Sequence, residues 1–365
     1  MAEFIGFIGN NYSSETIPRK GPIIDRAYIE TLSKAHEAAG FDRALLAFHS
    51  TMPDCLQIGQ HVAYVTEKLN VFIAQRPGFT SPTLFARQFA TLDQLTRGRI
   101  SLNVITGGDS KELAQDGNTI DDKDERYVRT SEFLDIVRAE WTSERPFDYQ
   151  GKYYRVSGAF STVKPYQKDG IPVFIAGASD AAVEVAGKHA DVFALWGETY
   201  DEVRSQLGKV RAASAKNGRP APRFSLSFRP ILADTEEKAW AKADALLAQA
   251  KAVQDKTGYI RKEEGPPNEG SKRLLALAAK GTRLDQRLWT GMANLTGARG
   301  NSTSLVGTPD QVAESLAQYY DLGIDIFLIR GFDPLIDTIE YGRDLIPRTH
   351  ALIAQRAARK GVAAE

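Results

Sequence analysis

The residues of this sequence that could do chemistry fall where apolar runs stop. Gly177-Ala178-Ser179-Asp180 is a turn of small residues at the head of a helical stretch. Its free backbone N–H groups, the positive end of the helix dipole and the Ser179 hydroxyl would accept a phosphate. The same residues also read as an ordinary helix N-cap, and pattern alone favours the cap. Phe224-Ser225-Leu226-Ser227-Phe228-Arg229 alternates, which puts Ser225, Ser227 and Arg229 on one strand face. A cation there asks for an anion, either a ligand or an internal carboxylate. Arg330 closes another apolar run, and Arg299 lies in the small-residue loop Thr296-Gly297-Ala298-Arg299-Gly300-Asn301. Arginines gathered round one ligand suit a two-pronged oxyanion such as sulfonate, phosphate or carboxylate. His49 ends an apolar strand and reads equally as a general acid/base or a hydrogen-bonded structural residue. Trp196 can stack on a ring, although packing is the commoner use of such an aromatic. Cys55 has no triad pattern beside it and reads as an inert small residue.

The composition narrows the classes. Lys plus Arg and Asp plus Glu are 46 each, so no charge excess points to nucleic acid or an anionic membrane. One cysteine excludes an intramolecular disulfide, and five scattered histidines lack metal-ligand spacing, so no metal site is expected. No apolar run has the length of a membrane span, and the N-terminus lacks a basic leader, so a cytoplasmic location is the expectation. There is neither a P-loop nor a G-x-G-x-x-G motif.

Strands and helices must position these groups. Strands are read over Phe4 to Gly9, Arg43 to Phe48, Asn70 to Gln75, the Ile100 run, Pro172 to Ala176, Asp191 to Trp196, Phe224 to Ala233 and Ile324 to Arg330. Each is followed by a stretch with helical spacing, except that the grammar is lost at about 146–170 and 253–301. The first gap reads as a hairpin or irregular excursion. The second, with its Gly-Pro-rich Lys262 to Gly270, reads as a mobile active-site lid. Eight strand–helix units in 365 residues predict a single α/β domain, a (β/α)8 TIM barrel with insertions. Its chemistry belongs at the C-terminal strand ends, which brings Asn10, Gln75, Asn103, Thr106 and Phe332 into the candidate set.

Two segments go beyond pattern. Asn103-Val104-Ile105-Thr106-Gly107-Gly108-Asp109, with Asp124-Glu125-Arg126-Tyr127, resembles the bacterial-luciferase-like flavin monooxygenases, most closely the two-component FMNH2-dependent alkanesulfonate monooxygenases. Further similar stretches are Thr80-Ser81-Pro82-Thr83, Ala90 to Leu95, Phe174 to Asp180, Leu195-Trp196-Gly197-Glu198 and Leu305-Val306-Gly307, so the resemblance runs over nearly the whole chain. It implies that Tyr127, Ala178 and Ser179 hold the FMN phosphate. Asn103 and Thr106 would lie beside the isoalloxazine. Ile73 to Gln75, Ala74 among them, would line its other side, where such proteins often have a cis peptide. A separate NAD(P)H-dependent flavin reductase would supply FMNH2, and a homo-oligomer, dimer or tetramer, would form.

Departures from that family pattern fall on substrate positions. Its usual cysteine corresponds to Met52, its arginine and histidine of strand seven to Ser227 and Arg229, and its tyrosine after strand eight to Phe332. Arg299 is an approximate counterpart of its lid arginine. The resemblance therefore implies an FMNH2- and O2-dependent enzyme that releases sulfite and an aldehyde from an organosulfonate, with a sugar sulfonate such as sulfoquinovose a candidate. In that enzyme Asn10, Arg229, Arg299 and Arg330 would bind substrate, and His49, Arg229 and Trp196 would form the catalytic set. The alternatives are a luciferase-like enzyme acting on a sulfone, an aminopolycarboxylate or an alkane, or a non-catalytic flavin-binding protein.

Overall fold

The computed structural model describes residues 1–258, 268–300 and 302–362. The first four strands are β1 (Glu3–Phe7), β2 (Arg43–Leu46), β3 (Asn70–Gln75) and β4 (Ile100–Val104). A hairpin, β5 (Phe147–Gln150) and β6 (Arg155–Ala159), fills the first expected insertion. Then come β7 (Val173–Ala176), β8 (Val192–Trp196), β9 (Arg223–Phe228) and β10 (Ile231–Leu232). The last four are β11 (Arg283–Leu284), β12 (Leu288–Trp289), β13 (Ser304–Gly307) and β14 (Ile326–Ile329). Eight of them close a barrel in the order β1-β14-β9-β8-β7-β4-β3-β2. Its registered pairs run parallel, for example Ala74 opposite Asn103 and Leu328 opposite Ser227. The expected α/β barrel is the fold of the chain.

Helix boundaries follow local chemistry. Ser81, Asp122 and Ser179 each accept a backbone N–H at the start of the helices Pro82–Thr96, Lys123–Thr142 and Asp180–His189. Thr308 and Gln311 form a reciprocal capping box before Pro309–Leu322.

By its contacts the chain groups into two compact units. One comprises residues 1–44, 194–208 and 223–365, with Phe4, Leu226, Phe228, Tyr319 and Phe327 in its core. It also carries a small sheet in the order β10-β13-β12-β11, under which Trp240, Trp289, Met292, Val306 and Phe332 pack. The other comprises residues 45–193 and 209–222, where the rings of Phe72 and Phe174 lie 4.3 Å apart and Phe85 stacks on Phe89.

Two expectations change. The long strand over Phe224 to Ala233 is two strands, because Pro230 has no N–H to continue a ladder. The chain there leaves the barrel at Phe228 and joins the small sheet at Ile231. The stretch from Val253 to Asn301, where the strand–helix grammar is lost and a lid is expected, carries helices and short strands of its own. Val253 belongs to the helix Glu236–Thr257, and Asn268 caps the helix Glu269–Lys280, which buries Leu274, Leu277 and Ala278. Of the expected lid at 253–301, residues 259–267, which take in most of Lys262 to Gly270, and Asn301 lie outside the described residues. Among the described residues no helix is long and apolar enough to cross a membrane.

One buried group makes the fold sensitive to acid. His36 is fully buried, with Nδ1 2.8 Å from the Leu32 carbonyl and Nε2 accepting the Phe7 N–H at 3.3 Å. A Cβ on Gly6 would overlap its ring, so β1 closes directly over the imidazole. Burial pushes the His36 pKa from 6.5 down to about 4. The unfolded chain then binds the extra proton between those values. The His36 contribution to stability is therefore complete above pH 6.5 and is lost as pH falls toward 4. Thermal melts should show a Tm that declines over that range, and His36→Gln should flatten the decline.

Candidate active site

In the unit that carries β3, β4 and β7, a single carboxylate ties the loops after three strands together. Arg76 follows β3 directly and is buried. Its Nη2 lies 2.7 Å from both carboxylate oxygens of Glu112, on the short helix Ser110–Gln115 after β4. Glu112 Oε1 also accepts the Ser50 N–H at 2.9 Å, in the loop after β2. His49 brings Nε2 to 3.4 Å from the same oxygen and Nδ1 to 3.0 Å from Thr51 Oγ1. Burial works to raise the Glu112 pKa, but the hydrogen bonds from Arg76 and Ser50 prevail and the net shift is downward. The His49 side chain is 47% exposed, so this imidazole is both oriented and open to a ligand. Sequence reading missed Glu112, whose only local signal is its place in the first turn of a short helix.

A second cluster follows β4 and its neighbour β7. Asn103 lies on β4 with Oδ1 buried and, among the described residues, without a partner. Thr106 shares a 3.1 Å hydroxyl contact with Thr130 on the helix Lys123–Thr142. One turn earlier on that helix, Tyr127 is hydrogen-bonded to Ser179, and its pKa is raised by burial. Between them Gly177 has φ +144°, and a Cβ there would sit 2.6 Å from Ala182 Cβ and 2.7 Å from the Tyr127 hydroxyl. Ala178 lies in the turn from Gly177 to Ser179, which caps the following helix. Asn103, Thr106, Tyr127, Ala178 and Ser179 thus converge on two neighbouring strand ends.

Ala74 lies on β3 opposite Asn103, and its carbonyl accepts from Cys55 Sγ at 2.8 Å. Burial pushes the Cys55 thiol up to about 12, so it stays protonated. Among the described residues no peptide bond is cis, and those through Ile73 to Gln75 are trans. The ladder to β4 spans Val71 to Gln75 without interruption.

In the other unit Arg229 is 1% exposed. Its Nη2 donates to Glu15 Oε2 at 2.9 Å and to the Gly331 carbonyl at 3.0 Å, and its guanidinium lies 3.7 Å from the Phe332 ring centre. Arg330 Nη2 donates to Glu15 Oε1 at 2.9 Å. Of the two partners weighed for Arg229, the internal carboxylate is present, and it is Glu15. Asn10 lies in the loop between β1 and Glu15, where its carbonyl accepts from Asp25. Trp196, at the end of β8, has its ring against Gly270. Arg299 sits in a turn next to Ala298, which has φ +53° and whose carbonyl accepts from Ser271 at 2.9 Å. Among the described residues no cluster of His, Cys, Asp or Glu is arranged to hold a metal ion.

Breaking a buried pair by removing one partner leaves the other charge uncompensated. Glu112→Ala strands Arg76, and urea unfolding should show a loss of about 3 kcal/mol. A loss below about 1 kcal/mol would show that Arg76 finds water or another acceptor instead.

The fold is shared with known proteins. The chain is similar to EDTA monooxygenase (EmoA) from Chelativorans sp. BNC1, with 20% identity and a TM-score of 0.76, covering 96% of this chain and 94% of that one. It is similar to the riboflavin lyase RcaE with modified FMN and riboflavin, at 20% identity and a TM-score of 0.75 over 98% and 92% of the two chains. It also resembles DmoA from Hyphomicrobium sulfonivorans, at 20% identity and a TM-score of 0.75 over 96% and 87%. At these identities the likeness is one of fold. The family model described as luciferase-like monooxygenase matches residues 5–325. Since that match takes in most of the chain, the protein belongs to the luciferase-like monooxygenase family.

Proposed function

We propose that the chain is the oxygenating component of a two-component system, using FMNH2 and O2 to cleave the C–S bond of an organosulfonate. The observation that carries this reading is the pair of arginines at the ends of β9 and β14, set in a luciferase-like monooxygenase.

The residues present suit a flavin. The Asn103 Oδ1, buried without a partner among the described residues, offers an acceptor to a ring N–H, and the turn from Gly177 to Ser179 at the head of the helix Asp180–His189, beside Tyr127, suits a phosphate. Tyr127, Ala178 and Ser179 would hold the phosphate, with Asn103, Thr106 and Ala74 along the ring system. Reduced FMN, delivered by an NAD(P)H-dependent flavin reductase, supplies two electrons to dioxygen. One oxygen atom ends in the aldehyde and the other in water, and sulfur leaves as hydrogensulfite. The chain's own part is to bind, orient and move protons. Arg330 meets the sulfonate at the end of β14 and Arg229 adds its buried charge behind it, with Arg299 and Asn10 as further contacts. Arg229 is cationic at any working pH and so cannot shuttle protons. That role falls to His49, oriented by Glu112 and Thr51. Trp196 is the aromatic wall offered to the substrate.

Sulfite release from a sulfonate panel, including sulfoquinovose, with a flavin reductase, NADH and FMN tests the reaction. Sulfite from at least one member is expected. Oxidation of a sulfone or an alkane with no sulfite from any sulfonate would replace this reading. Ser179→Asp tests the phosphate site separately, because it sets an anion against an anion. Affinity for FMNH2 in an anaerobic fluorescence titration should fall at least about tenfold, and an unchanged affinity would move the phosphate elsewhere.

A further inference from the structure

Glu15 answers two arginines with one carboxylate. Each of its oxygens takes one guanidinium at 2.9 Å, Arg229 on Oε2 and Arg330 on Oε1. Burial alone would raise the Glu15 pKa, but the two cations outweigh it and hold the value at about 2. The carboxylate is therefore ionised at every working pH. Each guanidinium also meets an aromatic ring: Arg229 lies on Phe332, and Arg330 lies 5.0 Å from the Phe7 ring centre. The nearby Asp337 is committed elsewhere, accepting the N–H groups of Phe332 and Asp333 and facing Lys242. Among the described residues, two cations and one carboxylate leave one positive charge uncompensated. Among the described residues, Arg229 Nε, Arg330 Nε and Ser227 Oγ are buried without partners, so unmade hydrogen bonds accompany that charge. Arg330, with a quarter of its side chain exposed, is the member within reach of a ligand.

We propose that Glu15 sets the charge of the headgroup accepted here, so that a monoanion such as a sulfonate is selected over a dianion such as a phosphonate. The inference rests on the organosulfonate reading and adds a specificity residue to it. Sulfonate and phosphonate are tetrahedral oxyanions of similar size, so shape barely separates them. Charge does. A monoanion neutralises the cluster, whereas a dianion leaves one negative charge unanswered in a poorly solvated place.

The test uses the full chain with methanesulfonate, methylphosphonate and dimethyl sulfone as headgroup probes. Dissociation constants come from thermal shifts at a pH above the second ionisation of the phosphonate. The wild type should prefer methanesulfonate. Glu15→Gln frees a second positive charge, and the ratio of the two constants should move toward the phosphonate by at least about tenfold. If Glu15→Gln does not fold, Arg330→Met carries the test: methanesulfonate affinity should fall at least about tenfold while dimethyl sulfone binding holds. A wild type that prefers the phosphonate or binds neither anion overturns the proposal. So does an unchanged ratio in Glu15→Gln, or undiminished sulfonate binding in Arg330→Met. Sulfite release with an unmoved ratio would sink charge selection and leave the reaction standing. A moved ratio without sulfite release would do the reverse.

Discussion

A guanidinium taken out of water must have its charge answered, and much of the local geometry at the strand ends follows from that. Arg76 after β3 and Arg229 after β9 are both buried. Each is met by a carboxylate from a different segment, Glu112 after β4 and Glu15 after β1. Desolvation offsets most of the attraction within such pairs, so their net contribution to stability is small. Their effect is on position. A loop bound to a buried charge keeps its place, because leaving would strand that charge. In this way the loops after β2 and β4 are held to Arg76, and the loops after β1 and β14 to the end of β9.

Apolar packing supports the same arrangement from below. Phe332 belongs to the cluster under the small sheet and also covers one face of Arg229. Pro230 hands the chain from the barrel to that sheet, and its carbonyl accepts the Tyr341 hydroxyl at 2.6 Å. The satellite core is therefore what Arg229 rests on.

The parts legible in the sequence were those written in short-range pattern. The apolar run Asn70–Gln75 maps onto β3 without change, and Ser179, in a turn that also read as an N-cap, caps the helix Asp180–His189. The end of β9 was misjudged because Pro230 sits inside a continuous apolar stretch, and the break shows only when the second half pairs with β13. The helix Glu269–Lys280 was hidden by the Gly-Pro-rich residues before it. Glu15 and Glu112 were invisible for a different reason. A carboxylate in a loop looks like a solvated charge, and only long-range contact turns it into a partner. Arg229 was half legible: its strand position demanded an anion, but nothing local distinguished a ligand from residue 15.

The lone thiol has a use of its own. Cys55 is buried at the start of the helix Cys55–Val65, donates to the Ala74 carbonyl of β3 and stays protonated. A thiol reagent can therefore reach it only when that helix lifts from the strand. With a single cysteine in the chain, every labelling event reports the same opening. When reclosing outpaces labelling, the observed rate gives the free energy of that one motion directly. The protein thus carries an internal gauge of how firmly the wall beside Asn103 is held, readable by mass without any added probe site.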